Sequence, residues 1–118
     1  MEHPPDEDDL ITYAKTDNVD GVRSCLDLGL DANTIDMDAN HFLRSVLHYA
    51  ANAGHLGVAR ILLEAGADVN IEDREDSSPL HLAAAKGHKA VVACLLDFEA
   101  EVDKEDCEKE TPLHRASQ

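Results

Sequence analysis

The sequence predicts an all-α solenoid of stacked helix-turn-helix units with projecting β-hairpin-like loops, about 3.5 repeats long. Three observations lead to this fold class: a repeat with a period of 33 residues, two apolar segments at helical spacing in each full copy, and a composition with only 3% aromatic residues and no Trp. A chain rich in Ala and Leu suits thin, closely stacked helices better than a β-sandwich. The hydrophobic content of 43% is sufficient for a core.

The repeat is clearest when Leu47–Asn70 is aligned with Leu80–Asp103, because eleven of the 24 aligned positions are identical. The same offset of 33 relates Pro79–His81 to Pro112–His114. A weaker copy, Asp17–Asn33, lies at an offset of 37, so four additional residues are inserted before the second full copy. A period in this range indicates a solenoid in which each unit buries its apolar faces against its neighbours.

Start and stop signals divide each copy into two helices. Ser78 is placed as the N-cap of a helix whose first residue, Pro79, needs no N–H donor. Gly54 and Gly87 are placed to end the first helix of their copies. A second apolar segment follows at helical spacing, over residues 58–63 and 91–96. Each copy is therefore predicted as helix, turn, helix and projecting loop, which we call a finger.

These motifs resemble the ankyrin repeat. The resemblance is carried by Ser78–Ala84 (SPLHLAA), by Gly87-His88 and by Gly66–Asn70 (GADVN), and it covers about residues 9 to 118. The resemblance implies a non-catalytic module that binds another protein through its finger loops and a concave face formed by its first helices. The fold itself does not identify the partner.

The repeats divide the chain into predicted segments. Residues 1–8 are predicted as an acidic flexible tail, followed by repeats at 9–33, 34–70 and 71–103 and a partial fourth repeat at 104–118. Because the fourth repeat stops before its second helix, we expect a fragment of a longer protein, a truncated isoform, or self-association through the incomplete repeat.

Charge and cysteine content narrow the class of partner and the compartment. With 10 basic and 25 acidic side chains the formal net charge is −15, which disfavours nucleic acid and anionic lipid as partners. No apolar stretch approaches the roughly 20 residues of a membrane helix, so no membrane insertion is expected. Three cysteines, an odd number without any CxxC pair, favour a reduced intracellular protein, cytoplasmic or nuclear.

The histidines and cysteines are predicted to be structural. The resemblance implies that His48, His81 and His114 form hydrogen bonds within and between repeats, and that His55 and His88 close the turns between helices. Neither of the other two histidines has a companion at metal-ligand spacing, so no metal and no cofactor are expected. Cys25 and Cys94 fall at apolar helix positions, and Cys107 lies between carboxylates that make it a poor nucleophile. No common catalytic motif occurs, so the chain is not predicted to be an enzyme.

The predicted partner-binding residues lie on the fingers and the first-helix face. The insertion, residues 34–46, has two possible interpretations. It is an apolar anchor for a partner, or Phe42 and Leu43 pack under the loop and cover the helices. For the finger carboxylates, a docking strip for a basic partner competes with an ordinary solvated face. The complete set is Met37, His41, Phe42, Leu43, Tyr49, Asn52, Glu72, Asp73, Glu75, Asp76, Leu82 and Lys86.

Short segments that resemble particular ankyrin proteins suggest alternative functions. Asp68–Asp73 with Pro79–Ala84 looks like the small, acidic ankyrin-type inhibitors of cyclin-dependent kinases. A stoichiometric enzyme inhibitor is therefore an alternative function. A further alternative is the ankyrin segment of a larger enzyme or channel.

Asn70 resembles the site that asparaginyl hydroxylases modify in ankyrin repeats. Asp76 and Glu99 stand where the family usually has Gly, which predicts left-handed backbone at non-glycine residues.

Overall fold

The computed structural model describes residues 5–37 and 43–100. These residues form six helices, and none of the described helices is long and apolar enough to cross a membrane. The helices are α1 Glu7–Lys15, α2 Val19–Asp27, α3 Val46–Ala53, α4 Leu56–Glu64, α5 Pro79–Lys86 and α6 Lys89–Asp97. The prediction of an all-α ankyrin-type solenoid is confirmed for this part of the chain.

The helices are stacked in two layers. The first helices of the repeats pack in the order α1, α3, α5, while the second helices pack in the order α2, α4, α6. Within each repeat the two helices also contact each other. Among the described residues the main contacts between repeats are therefore those between neighbours along the chain, which is the arrangement expected of a solenoid.

The hydrophobic core runs without interruption through all three described repeats. Large side chains such as Leu10, Leu47, Leu62 and Leu95 are fully or almost fully buried in it. Where first helices meet, the core contains small residues that allow close approach of the backbones. These are Ala14, Ala50, Ala51 and Ala83.

The structure confirms the predicted N-cap Ser78 and the predicted helix ends at Gly54 and Gly87. Ser78 accepts a hydrogen bond from the backbone N–H three residues later, and Ser45, for which no cap was predicted, caps α3 in the same way. Gly54 and Gly87 end these helices in the left-handed conformation, with φ of 77° and 74°. Local sequence alone decides these positions, because a cap needs only a side chain and a backbone group a few residues apart.

The beginning of α1 corrects the predicted acidic tail. Asp6 is the N-cap of α1, and Asp6 and Asp9 form a reciprocal capping box, so Glu7 and Asp8 are helical rather than part of a flexible tail. The acidic side chains of the first turn lie near the positive end of the helix dipole. The same charge run that suggested a solvated tail is therefore a helix start.

Two fingers lie within the described residues. The first finger is residues 31–37 and 43–45, and the second finger is residues 67–78. Asp76 at the second finger and Glu99 after α6 have φ of 59° and 68°, so the predicted left-handed backbone at these non-glycine residues is confirmed. The predictions for Cys107, His114 and the partial repeat 104–118 fall outside the described residues.

Candidate partner-binding surface

The base of the first finger is a short antiparallel pairing. Asp36 N–H donates to the Arg44 carbonyl at 2.8 Å, and Val46 N–H donates to the Thr34 carbonyl at 3.0 Å. Successive residues of an extended segment point to opposite faces. Thr34 and Asp36 are buried, whereas Ile35 and Met37 are 36% and 67% exposed. The finger therefore directs Asp36 inward and presents two large apolar side chains outward.

Asp36 meets two first helices. The Tyr49 hydroxyl of α3 donates to Asp36 Oδ2 at 2.7 Å, and Lys15 Nζ at the end of α1 lies 3.7 Å from the same oxygen. Lys15 Nζ also lies 4.5 Å from the centre of the Tyr49 ring. Burial, and next the hydrogen bond to Asp36, raise the pKa of Tyr49 to about 12, so its phenol stays protonated at neutral pH. Tyr49 is thus held by the finger and is half-buried.

The second finger is organised around the Asp73 carboxylate. Asp73 Oδ1 accepts hydrogen bonds from Glu75 N–H at 2.8 Å and Ser77 N–H at 3.0 Å, while Oδ2 lies 3.4 Å from Arg44 Nε. Asp73 was predicted as an exposed docking carboxylate, and that prediction is wrong, because the side chain turns inward and closes the loop. Glu72 and Asp76 remain exposed, and Glu75 is half-buried.

Leu82 is the second correction among the predicted partner-binding residues. It is only 5% exposed, since α5 buries every residue from Pro79 to Ala84. On the same helix Lys86 is exposed, as predicted for a surface position. Asn52 of α3 is half-buried, and its carbonyl accepts a hydrogen bond from His88 Nε2 at 3.0 Å.

The other residues predicted from the insertion divide into two groups. Leu43 is half-buried and has φ of 54°, an uncommon conformation for a residue with a branched side chain. His41 and Phe42 lie outside the described residues. The proposals that Phe42 anchors a partner or packs under the loop stay predictions.

His48 forms hydrogen bonds within and between repeats, as predicted. His48 is buried, its Nδ1 accepts from Ser45 N–H at 3.0 Å, and its Nε2 donates to the Ser77 carbonyl of the next repeat at 2.7 Å. Burial lowers the pKa of His48 below its ordinary value of 6.5, although the Ser77 hydrogen bond opposes that shift. His55 Nδ1 donates to the Ala14 carbonyl at 3.1 Å.

The described cysteines are core thiols, as predicted. Cys25 and Cys94 are buried and free. Burial, and then the nearby Asp9 and Asp6 carboxylates, raise the pKa of Cys25, which makes the thiolate scarce at neutral pH. Within residues 5–37 and 43–100, no group of three or more His, Cys, Asp or Glu side chains could hold a metal ion.

Asn70, the predicted hydroxylation site, lies in the second finger and is half-buried. Its backbone N–H donates to Asp68 Oδ1 at 3.0 Å. Asp68 N–H in turn donates to Asn33 Oδ1 at 2.7 Å, so the equivalent asparagine of the preceding repeat connects the two fingers. Asn70 stays a proposed modification site.

Three residues that the sequence reasoning missed hold this surface together: Lys15, Asp36 and Arg44. Lys15 and Tyr49 are separated by 34 positions in the sequence, and no motif connects them. Arg44 and Asp73 are 29 positions apart. The first finger is thereby connected both to the first helices and to the second finger.

The chain resembles known proteins in the region that carries these repeats. A family model described as ankyrin repeats (many copies) matches residues 47–96. Residues 47–96 therefore carry ankyrin repeats. The ankyrin repeat is in general a non-catalytic module for binding other proteins. Over 70 residues, the ankyrin-repeat chain is also 44% identical to serine/threonine-protein kinase 12 from Arabidopsis thaliana. That alignment covers 59% of this chain and 14% of the kinase.

Proposed function

We propose that this ankyrin-repeat chain is a non-catalytic binding module whose protein partner contacts the first finger and the exposed side of α1, α3 and α5. The observation that carries the proposal is the outward pair Ile35 and Met37 on the one irregular finger. Exposed apolar residues beside a rigid scaffold are suited to binding, because a partner can bury them without any change in the core.

The base of the first finger is held in place by contacts with the rest of the chain. The backbone pairing of Asp36 with Arg44, the Tyr49 hydrogen bond and the Arg44–Asp73 contact hold it at three points. A partner that buries Met37 therefore need not order the base of the finger, which lowers the entropy cost of binding.

The exposed acidic side chains of the second finger supply long-range attraction. Glu72 and Asp76 are exposed, and the whole chain carries a formal net charge of −15. We expect these charges to raise the association rate of a partner with a basic surface and to contribute little at high ionic strength.

The test begins with proximity labelling to nominate partners, followed by binding measurements on the purified pair. Met37→Ala should weaken binding about tenfold or more at any salt concentration, because it removes apolar contact. Leu28→Ala is the matched control, since Leu28 is 61% exposed but lies at the end of α2, in the second-helix layer. Equal binding by Met37→Ala, Leu28→Ala and the original chain would contradict the assignment of the first finger.

A charge test separates steering from contact. Replacing Glu72 and Asp76 by Lys should slow association at low salt, and the difference should shrink at high salt. A deficit that persists at high salt would assign these carboxylates to direct contacts instead.

A second candidate is favoured by the kinase match: the chain is the interaction segment of a larger protein with a catalytic domain elsewhere. The full-length transcript decides this, because it either encodes a kinase domain in the same reading frame or does not. The alternative of a stoichiometric enzyme inhibitor stays a prediction.

A further inference from the structure

The contact between Lys15, Asp36 and Tyr49 combines two features that bind cations. The Asp36 carboxylate supplies negative charge, and the face of the Tyr49 ring supplies a second attraction for a cation. The Lys15 ammonium lies against both, at 3.7 Å from Asp36 Oδ2 and 4.5 Å from the ring centre. An intramolecular cation therefore already demonstrates that the position accepts a positively charged group.

Lys15 is weakly held at this position. Its side chain is 45% exposed, whereas the Asp36 side chain is only 10% exposed, and the nitrogen–oxygen distance is longer than that of a direct charge-assisted hydrogen bond. Ion pairs of an exposed lysine contribute little to stability. By contrast, the 2.7 Å hydrogen bond from Tyr49 fixes the carboxylate and the ring relative to each other. A direct hydrogen bond thus joins the carboxylate to the tyrosine, whereas the ammonium makes only the longer contacts.

Arg44 is a second cation whose charge acts on Tyr49, and its Nε lies 3.4 Å from Asp73 Oδ2. Lys15 lies against both the Asp36 carboxylate and the Tyr49 ring.

We propose that Asp36 and Tyr49 form a recognition site for a Lys or Arg side chain of the partner protein, and that Lys15 occupies this site in the free chain. This inference rests on the proposed function and names the chemistry of the partner at the first-helix face. A guanidinium is the better ligand, because its planar group can stack on the ring and donate to the carboxylate at once. Binding exchanges Lys15 for the partner's cation, so Lys15 swings into solvent without leaving a buried charge unpaired.

The experiment needs no identified partner. N-acetyl-argininamide is titrated into the isotope-labelled full chain, and the Tyr49 ring and Asp36 amide resonances are followed by NMR. Lys15→Ala should bind the probe with half-saturation at a concentration at least about threefold lower than the original chain, because the competing ammonium is gone. Lys89→Ala is the matched control, since it removes the same charge from an exposed site at the start of α6, in the second-helix layer. The neutral isostere N-acetyl-citrullinamide should produce no saturable shift.

Two results of the titration would overturn the proposal. Equal half-saturation in Lys15→Ala and Lys89→Ala would overturn the proposal and assign the effect to net charge alone. Equal shifts with the citrulline probe would overturn it as well. Asp36→Asn in the Lys15→Ala background should abolish binding, and the comparison of the two lysine variants remains decisive if that variant does not fold. Because the titration involves no partner, its failure would leave the Met37 test of the proposed function intact.

Discussion

Arg44 Nε lies 3.4 Å from Asp73 Oδ2 and connects the first finger to the second. The other oxygen of the same carboxylate accepts hydrogen bonds from Glu75 N–H and Ser77 N–H. Ser77 in turn offers its carbonyl to His48 of the preceding repeat. One buried carboxylate therefore closes its own loop and contacts the adjacent finger.

Asp73→Ala should lower the free energy of unfolding by about 2–3 kcal/mol, because one buried and one partly buried backbone N–H group lose their acceptor. Arg44→Ala should cost less than Asp73→Ala, since both backbone hydrogen bonds to Asp73 remain. Urea unfolding followed by circular dichroism measures both values. Arg74→Ala, at an exposed residue of the same finger, should change stability by less than about 0.5 kcal/mol. Similar effects of Asp73→Ala and Arg74→Ala would show that the loop does not depend on Asp73.

The two glycines that end α3 and α5 should differ in their tolerance of alanine. A Cβ at Gly54 would lie 2.7 Å from His88 Nδ1, whereas a Cβ at Gly87 meets no atom within 4 Å among the described residues. Both have positive φ, so Gly87→Ala should cost about 1 kcal/mol from backbone strain alone. Gly54→Ala should cost at least about 2 kcal/mol, because it also displaces His88 from the Asn52 carbonyl.

Thermal or urea unfolding of the two glycine variants supplies the comparison. Their backbone conformations are nearly the same, so the difference between them isolates the steric contact with His88. If Gly87→Ala is the more destabilising variant, the packing of the turn between α3 and α4 against His88 is not important for stability.

The free energy of unfolding should decrease as the pH is lowered below neutral, because of His48. Burial holds the pKa of His48 below 6.5, so between these two values the unfolded chain binds a proton that the folded chain does not. The contribution of neutral His48 is therefore fully present above pH 6.5 and declines as the pH falls below it. Unfolding free energies measured from pH 7.5 to 5.0 should show this slope.

His48→Gln provides the control for this pH dependence. Glutamine does not titrate, and the variant keeps every carboxylate of the chain, so the difference between the two slopes isolates His48. The variant should be less stable at pH 7.5 and should lose less stability on acidification. Parallel slopes for the two proteins would mean that His48 becomes protonated without disturbing the folded state.

Asn70 should gain one oxygen atom when the chain is incubated with an asparaginyl hydroxylase, 2-oxoglutarate and iron(II). The residue lies in the second finger, where its backbone N–H is held by Asp68. Peptide mass mapping locates the added oxygen, and Asn70→Gln serves as the control. An unchanged intact mass, with a known ankyrin substrate modified in parallel, would reject the site.

The sequence by itself determined the repeat period and both ends of α5, and the resemblance to ankyrin repeats added the structural role of His48. Ser78 caps α5 through a backbone N–H only three residues away, and Gly87 ends it through its own conformational freedom. Such signals act over one helical turn, so they can be read without any knowledge of the fold. The start of α1 at Asp6 and Glu7 was misassigned to the tail, although it carried the same kind of local signal within a run of acidic residues.

Tertiary structure alone decided which finger side chains are available to a partner. Glu72 and Asp73 are adjacent carboxylates that the sequence does not distinguish. Of these two only Asp73 is buried, because its carboxylate oxygens accept hydrogen bonds from the N–H groups of Glu75 and Ser77 and from Arg44 Nε. Similarly, Asp36 turns inward to Tyr49 and Lys15, residues 13 and 21 positions away along the chain. The orientation of a loop side chain depends on groups that stacking brings near, and no local rule contains that information.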